Sequence, residues 1–327
     1  MEPKSWKVGV MPKVLSLRPL KDFYDLGVYP SEKFSVSDSD PSHPSLREKI
    51  SSVDAVILPA VGIKIDSSLF EASEVKLIQI TGAGFDRLNV IELRALGIPV
   101  ANIPGGSASA VSEYVLTVTL FLLSNLSYST SSILQGKYSS LRHELISKGI
   151  NQLSGLTIGI VGYGIIGKAV KRAFEFFEAK VNFYDPWVEG SLELPDILSG
   201  SDVVSIHVPL NDKTRNLIGI NELKSMKPGS LLINASRGGV VDEDSLVKML
   251  NEEHLGGAAI DVFSQEPLAS QSPFLKLSEK VAQRVILTPH VAGISRQAWT
   301  KLFKDSWQNV ERVLLNDESP KFVVNKD

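Results

Sequence analysis

The stretch that decides the fold runs over residues 157–185, beginning TIGIVGYGIIG and ending VNFYD. Residues 157–161 are apolar and predict a buried strand, and residues 162–167 match the pattern G-x-G-x-x-G. A second predicted strand at 181–184 leads directly to Asp185. A strand, a glycine loop, a helix, a second strand and a terminal carboxylate in this order are typical of a β-α-β unit that binds a dinucleotide.

Each glycine of the loop has a physical task. Gly162 permits the tight turn, Gly164 lets the backbone approach a pyrophosphate, and Gly167 allows the helix to pack closely on the strand. The helix, expected to start near Lys168, directs free N–H groups and its positive dipole end at the phosphates. Asp185 is placed to accept hydrogen bonds from the adenosine ribose and would repel a 2′-phosphate, so NAD(H) is expected rather than NADP. The competing interpretations are a structural glycine turn that binds no nucleotide and, for Asp185, a simple turn residue.

The composition excludes several classes of protein. The 327 residues suffice for about two domains, and a net charge of −3 gives no basic face for nucleic acid. Cysteine is absent, which excludes disulfides, thiolate metal sites and a cysteine nucleophile, and no metal site is predicted. The most apolar segment, 115–123, is far shorter than the roughly 20 residues of a membrane span, and residues 1–7 contain no signal-like apolar run. We therefore expect a cytoplasmic protein with neither a nucleic-acid nor a membrane partner.

Short apolar runs alternate with helix-like stretches along the whole chain, a pattern that favours parallel sheets covered by helices. The predicted strands are 8–11, 54–58, 77–80, 98–101, 157–161, 181–184, 203–207, 231–235, 258–261 and 285–288. The predicted helices are 67–73, 86–96, 107–135, a helix from about 168, 242–251 and 298–315. Asp86 and Asp242 are expected to cap two of these helices at their N-termini, and Gly97 to end the helix 86–96.

These elements predict an α/β protein of two domains with parallel sheets. Residues 104–293 would form a doubly wound, Rossmann-like domain that binds NAD. Residues 1–103 would form a discontinuous first domain completed by the C-terminal segment 294–327, because the last predicted helix follows the final strand of the second domain.

Three functional side chains follow strands of the second domain. Ligands bind beyond the carboxyl ends of strands in an open parallel sheet, and Arg237, Glu266 and His290 lie at or shortly after such ends. The planar fork of Arg237 suits a substrate carboxylate, and the imidazole of His290 suits a general acid. A carboxylate at Glu266 would orient that imidazole and favour its protonated form. Singly, Glu266 also fits a solvated loop carboxylate and His290 a structural histidine, but the three together favour reduction of a 2-oxo acid.

Segments spread over nearly the whole chain resemble the D-isomer specific 2-hydroxyacid dehydrogenases, a family that includes phosphoglycerate, glycerate/hydroxypyruvate, glyoxylate, D-lactate, formate and phosphite dehydrogenases. The segments are TGAGFD at 81–86, NIPG at 102–105, the glycine loop, HVP at 207–209 with Thr214, NASRG at 234–238, DVF at 261–263, EP at 266–267 and TPH at 288–290. The resemblance implies two flavodoxin-like or Rossmann-like domains, the first of which binds the substrate.

The resemblance also implies the roles of the site residues. Arg237 would bind the substrate carboxylate and carbonyl, His290 would be the acid/base, and Glu266 would raise the basicity of His290. Backbone N–H groups around Ala83 and Gly84 would donate to the carboxylate. The full substrate-binding set expected is Val61, Ala83, Gly84, Arg237 and His290.

A larger set of residues is expected to bind the cofactor. It comprises Gly162, Gly164, Ile165, Ile166, Gly167, Asp185, His207, Val208, Pro209, Thr214, Ala235, Ser236, Arg237, Asp261, His290, Ala292 and Gly293. Within it, Asp261 would meet the nicotinamide carboxamide, while Pro209 and Thr214 would line the adenosine side. Members of the family usually dimerise through the nucleotide domain, and the helical segment 107–135 resembles their dimer arm, so a homodimer is expected.

Departures from the family pattern bear on affinity and substrate. Many members carry arginine where this chain has Ile165, so only backbone N–H groups would hold the pyrophosphate. The segment 59–63 lacks the arginine that phosphoglycerate dehydrogenases place there, and the chain ends at Asp327 without their regulatory domain. These points favour reduction of a small, unphosphorylated 2-oxo acid, glyoxylate or hydroxypyruvate, to the D-2-hydroxy acid. The alternatives are a formate- or phosphite-type dehydrogenase and a non-catalytic NAD(H)-sensing protein that resembles co-repressors.

Overall fold

The computed structural model describes residues 11–326. Their contacts divide the chain into two compact units: the described residues up to Gly106 together with those from Arg296 onward, and Ser107–Ser295. Each unit is built around a parallel sheet, so the predicted class of two α/β units, the first discontinuous, is confirmed.

The sheet of the first unit has five parallel strands in the order β2-β1-β3-β4-β5. The strands are β1 Lys13–Ser16, β2 Ser35–Asp38, β3 Ala55–Leu58, β4 Leu77–Ile80 and β5 Val100–Ala101. The strands β3 and β4 are buried at every position. The predicted strand 8–11 lies outside the described residues except for Met11, which is not in a strand. The strand β2 was missed because it is a polar edge strand, SVSD, with one apolar residue.

Four short helices and a long C-terminal helix complete the first unit. They are α1 Leu20–Tyr24, α2 Leu46–Ser51, a 3₁₀ helix Ser67–Phe70, α3 Val90–Ala95 and the C-terminal helix Arg296–Leu314. The predicted N-cap Asp86 is wrong, because the side chain of Asn89 accepts the capping hydrogen bond from the N–H of Glu92. Gly97 follows the helix at φ +74°, as expected for a residue that ends a helix.

The sheet of the second unit has six parallel strands in the order β11-β10-β9-β8-β6-β7. The strands are β6 Thr157–Val161, β7 Lys180–Tyr184, β8 Val203–Ile206, β9 Leu231–Asn234, β10 Gly257–Ile260 and β11 Val285–Leu287. Each lies within one residue of its predicted bounds at either end. The strand order reverses between β7 and β8, which flank β6 on opposite sides, and ligands bind beyond the carboxyl ends of strands at such a switch point.

The helices of the second unit surround this sheet. They are α4 Ala108–Leu123, α5 Leu126–Leu134, α6 Tyr138–Lys148, α7 Ile165–Phe176, α8 Leu194–Gly200, α9 Ile220–Ser225, α10 Glu243–Asn251, a 3₁₀ helix Pro273–Lys276 and α11 Glu279–Ala282. The predicted N-cap of α10 is confirmed, because the Asp242 side chain accepts from the N–H of Ser245.

The predicted helical stretch 107–135 is confirmed and consists of two helices. The chain breaks between α4 and α5, where Asn125 takes a left-handed conformation with φ +52°, and the two helices are bent by 50°. Among residues 11–326 no single helix has the length and hydropathy of a membrane span. The bent pair α4 and α5 taken together has both, by length and composition alone.

Candidate active site

The glycine loop joins β6 to α7 at the carboxyl edge of the second sheet. Gly162 has φ +95°, and a Cβ there would lie 2.6 Å from the carbonyl oxygen of His207. A Cβ on Gly167 would lie 2.2 Å from the carbonyl oxygen of Gly162, so both positions require glycine. A Cβ on Gly164 would meet no described atom within 4 Å, which leaves the space that an approaching phosphate needs. The helix begins at Ile165, so the predicted start near Lys168 is wrong and Gly164 is the N-cap.

Asp185, directly after β7, is held beside this loop. One carboxylate oxygen accepts a hydrogen bond from the N–H of Tyr163 at 2.9 Å, and the other accepts from the N–H of Trp187 at 3.1 Å. A carboxylate offers about four acceptor positions, so two remain for a ribose diol. The fixed orientation fits the role expected for Asp185 in binding an adenosine ribose.

A cleft of about 900 Å³ opens at the carboxyl ends of β6, β7 and β8, within the range of ligand pockets. The cleft is lined by seven of the residues expected to bind the cofactor: Gly162, Gly164, Asp185, His207, Val208, Pro209 and Thr214. Trp187, Asn211 and Lys213 also line the cleft and were not predicted. Their places in the loops that follow β7 and β8 could have indicated them. The glycine loop, the oriented carboxylate and the size of the cleft fit a dinucleotide.

Two further cleft residues are engaged within the protein. Burial lowers the pKa of His207 to about 3, so the ring is neutral, and its Nε2 lies 2.8 Å from the hydroxyl of Ser205. The hydroxyl of Thr214 donates to the carbonyl oxygen of Pro209 at 2.5 Å. Both therefore shape the wall of the cleft, and neither is available as a proton donor near neutral pH.

His290 and Glu266 form a hydrogen-bonded pair, with 2.8 Å between the imidazole Nδ1 and the carboxylate Oε2. The other carboxylate oxygen accepts from the N–H of Phe263 at 3.0 Å. Burial by itself raises the pKa of Glu266, but the hydrogen bonds from His290 and Phe263 and the charges of His290 and Arg237 together hold that pKa below its usual range. Glu266 is thus a carboxylate at neutral pH and can stabilise an imidazolium at His290.

Asp261, which is 1% exposed, holds the loop that carries His290. Its Oδ1 accepts from the hydroxyl of Thr288 at 2.6 Å and from the N–H of Val291 at 2.8 Å. Its Oδ2 accepts from the N–H of Ala292 at 2.9 Å, and its backbone carbonyl accepts from the N–H of His290 at 2.7 Å. These bonds fix His290 in a left-handed conformation with φ +56°. Three of these bonds go to the Asp261 carboxylate, which offers about four acceptor positions. About one position is therefore left for the nicotinamide carboxamide that Asp261 is expected to meet.

Tyr114 of α4 extends this network. Its hydroxyl lies 2.6 Å from that of Thr288. Because Thr288 gives its proton to the carboxylate of Asp261, Tyr114 is the donor in this bond. Burial raises the pKa of Tyr114 to about 12, so the phenol keeps that proton. Sequence reasoning missed Tyr114, which is 174 residues from its partner.

Arg237 lies in a tight turn after β9. The side-chain oxygen of Asn234 accepts from both the N–H and the hydroxyl of Ser236, and its amide donates to the carbonyl oxygen of Arg237 at 2.9 Å. A Cβ on Gly238 would lie 2.0 Å from the carbonyl oxygen of Phe263, so this turn packs against the loop after β10. The second unit therefore brings Arg237 to the edge that carries the Glu266–His290 pair.

The expected substrate residues of the first unit follow β3 and β4. Val61 is 41% exposed, Ala83 is exposed and Gly84 is half-buried. The carbonyl of Ala83 accepts from the side-chain amide of Asn102 at 2.6 Å, which fixes the turn after β4. Over residues 11–326 no cluster of three His, Asp or Glu side chains could hold a metal ion.

Comparison with known proteins identifies the family. Residues 116–292 match the model of the D-isomer specific 2-hydroxyacid dehydrogenase, NAD binding domain. A glyoxylate reductase of Thermofilum pendens is 34% identical over 336 aligned positions that cover 99% of this chain and 95% of that enzyme. The chain belongs to the D-isomer specific 2-hydroxyacid dehydrogenase family.

Further relatives agree with this assignment. The D-3-phosphoglycerate dehydrogenase of Escherichia coli K12 is 41% identical over 212 positions, covering 62% of this chain and 50% of that enzyme. The solved holo structure of Rhodotorula graminis D-mandelate dehydrogenase has a TM-score of 0.82 at 26% identity, over 96% of this chain and 98% of that one. The predicted family, the NAD cofactor and the class of NAD-dependent oxidoreductase are thereby confirmed.

Proposed function

We propose that this dehydrogenase reduces a small 2-oxo acid to the D-2-hydroxy acid, with glyoxylate and hydroxypyruvate as the first candidates. The observation that carries the proposal is the 2.8 Å hydrogen bond between His290 and Glu266, on the sheet edge that also carries Arg237. NAD, when bound, supplies the hydride-transfer chemistry.

His290 is proposed as the proton donor to the substrate oxygen. Its Nδ1 is engaged by Glu266, so Nε2 is the nitrogen left to face a substrate. A protonated ring would deliver its proton from Nε2 as the substrate oxygen gains negative charge, and Glu266 would stabilise the imidazolium beforehand. In the oxidative direction the neutral ring would accept that proton.

The remaining residues are proposed to bind and orient the reactants. Arg237 would hold the substrate carboxylate through its planar fork, and the substrate would also meet Val61, Ala83 and Gly84. For the cofactor, the backbone from Gly162 to Gly167, with Ile165 and Ile166, would hold the phosphates and Asp185 the ribose. The adenosine side would be lined by His207, Val208, Pro209 and Thr214, and the nicotinamide side by Ala235, Ser236, Asp261, Ala292 and Gly293.

The small, unphosphorylated substrate is inferred from the segment 59–63, which carries no cationic side chain. A glyoxylate reductase among the full-length relatives supports the same inference. We propose the first unit as the substrate-binding domain and the second as the NAD-binding domain. The cytoplasmic location and the lack of nucleic-acid and membrane partners stay predictions.

A substrate panel tests the proposal. Oxidation of NADH and NADPH is followed with glyoxylate, hydroxypyruvate, pyruvate and 3-phosphohydroxypyruvate, and reduction of NAD with D- and L-hydroxy acids, formate and phosphite. We expect turnover of glyoxylate or hydroxypyruvate with NADH and oxidation of only the D-enantiomers. Turnover of formate or phosphite alone would assign the alternative enzymes, and NADH binding without turnover of any compound would point to the sensing protein.

A further inference from the structure

The loop Pro59-Ala60-Val61-Gly62-Ile63, called the 59–63 loop, follows β3 and carries no cation of its own. A cation reaches it from the segment after the neighbouring strand β4. Arg87 lies there and is only 4% exposed. Arginine is rarely buried unless its charge is matched, so its partners show what this side chain does.

The partners of Arg87 are three carbonyl oxygens at alternate positions of the loop. Its Nη1 donates to Pro59 at 2.7 Å and to Val61 at 3.1 Å, and its Nε donates to Ile63 at 2.8 Å. The backbone carbonyl of Arg87 in turn accepts from the N–H of Ile65 at 3.0 Å. The loop is therefore curled around one guanidinium group and tied to it at both ends.

Gly62 shows how closely the two parts fit. It has φ +131°, and a Cβ there would lie 3.2 Å from the Cζ of Arg87. Any other residue would be strained at this φ and would also press on the guanidinium. With the backbone turned inward, the side chains of Val61 and Ile63 face outward, 41% and 53% exposed.

Only a guanidinium can make this arrangement. Its donors form a fixed planar fork, whereas the ammonium of lysine is a single point on a flexible stem. Hydrogen bonds from an ionised donor are roughly twice as strong as neutral ones, so three of them restrict the conformation of the loop. These carbonyl dipoles partly offset the charge of Arg87, whose Nη2 is buried without a hydrogen-bond partner, and the loop presents apolar side chains outward.

We infer that Arg87 is a positioning residue that fixes the backbone of the 59–63 loop and thereby sets which side chain on a 2-oxo acid the enzyme accepts. The inference rests on the proposed function, in which Val61 contacts the substrate. The loop held in this way favours 2-oxo acids with short apolar or uncharged groups on C3 and disfavours those with phosphate or sulfonate there. Glyoxylate, which has no side chain, is the substrate least sensitive to the loop.

Two variants disturb this contact from opposite sides. Arg87→Lys keeps the charge and removes the fork, and Gly62→Ala keeps the arginine and places a methyl group of the loop against its guanidinium. Arg18→Lys is the matched control, because Arg18 is another largely buried arginine of the first unit, hydrogen-bonded at 2.8 Å to Asp22 and lying over the rings of Trp299 and Phe303. The side-chain hydrogen bond of Arg18 goes to Asp22 and not to a carbonyl of the 59–63 loop.

Steady-state kinetics with glyoxylate, pyruvate and 2-oxobutyrate give the first readout. In both test variants the KM for 2-oxobutyrate should rise about tenfold, the loss expected for one charge-assisted hydrogen bond. The KM for glyoxylate, kcat and the Kd for NADH should stay within about twofold of the wild type. Arg18→Lys should lower the melting temperature without changing the ratio of the two KM values. An unchanged ratio in both test variants of an active enzyme overturns the inference and leaves the proposed function standing.

Hydrogen–deuterium exchange of the apo protein gives a readout that needs no substrate. Peptides covering residues 59–66 should exchange faster in Arg87→Lys and Gly62→Ala, and at the wild-type rate in Arg18→Lys. Unchanged exchange in both test variants overturns the positioning role whatever the substrate is. If both test variants exchange faster but the wild type reduces no 2-oxo acid, the positioning role stands and the failure lies in the proposed function. If Arg87→Lys does not fold, Gly62→Ala carries both measurements.

Discussion

At the scale of single residues, the chemistry depends on the two nitrogens of His290 having different partners. Glu266 holds Nδ1 at 2.8 Å, and Asp261 fixes the backbone of the same residue through its carbonyl. Glu266 thus sets the orientation of the ring, and Asp261 sets the position of the backbone that carries it. Neither carboxylate has to move for the ring to gain or lose a proton at Nε2.

Replacing His290 by glutamine should abolish the proton transfer. The amide cannot serve as an acid near neutral pH, and the loss of general acid catalysis typically costs at least about 100-fold in kcat. Single-turnover oxidation of NADH and its Kd would be measured together, with the Kd expected unchanged. His143→Gln, on the exposed side of α6, is the control. Normal turnover in His290→Gln would place the acid elsewhere.

Glu266 should contribute to the pH dependence of stability. Its pKa is below the usual value of 4.5 in the folded state, so its contribution is present above the unfolded pKa and is lost as the pH falls through the folded one. The difference in unfolding free energy between wild type and Glu266→Gln should shrink as the pH falls from about 5.5 through the folded-state pKa of Glu266. Urea unfolding across this range measures it. A gap that widens on acidification would contradict the assignment, and the partial exposure of this side chain keeps the effect small.

At the scale of elements, the loop with His290 is linked to α4 by the phenol of Tyr114. Tyr114→Phe removes the hydrogen bond from the phenol to the hydroxyl of Thr288. The loss should lower the unfolding free energy by about 1 kcal/mol. It should also lower kcat several-fold, because the loop that carries His290 loses a support. Chemical denaturation and steady-state kinetics measure the two effects.

A matched variant separates these two effects. Tyr128→Phe removes a phenol hydrogen bond of 2.6 Å to Glu144 between α5 and α6. It should leave kcat unchanged. Equal kcat in Tyr114→Phe and the wild type would show that the link to α4 is not needed to place His290.

The elements differ in how well the sequence predicts them. The strands of the second unit are continuous apolar runs, which is why their bounds were predicted to within a residue. The break at Asn125 was not predicted, because residues 107–135 contain neither the proline nor the glycine that would mark the end of a helix. In the site, Arg237, Glu266 and His290 were predicted from strand ends and residue type, and their roles stay predictions. The roles of Asp261, Tyr114 and Arg87 depend on backbone groups or side chains far away in sequence, which no local pattern specifies.

At the scale of the whole molecule, the arm formed by α5 and α6 leaves apolar side chains exposed. Leu134 is 83%, Ile146 63% and Tyr138 61% exposed, and exposed apolar patches are typical of protein interfaces. We propose that a second copy covers this surface. A wild-type dimer in sedimentation velocity should become a monomer in the double variant Leu134→Glu, Ile146→Glu, since two charges would be buried against apolar partners.

The control for this prediction is Tyr29→Glu. Tyr29 is 68% exposed and belongs to the first unit, so its replacement should leave the sedimentation coefficient unchanged. A monomeric wild type, or a double variant that remains dimeric, would refute the arm as the interface.

The C-terminal helix Arg296–Leu314 has a consequence for the order of events during synthesis. Phe303, Trp307 and Val310 belong to the core of the first unit, yet they leave the ribosome after all of Ser107–Ser295. The second unit can therefore reach its native fold on the nascent chain. Until the C-terminal helix is synthesised, the sheet of the first unit, which is translated earlier, keeps one apolar face uncovered. In this protein the part translated first is therefore completed last.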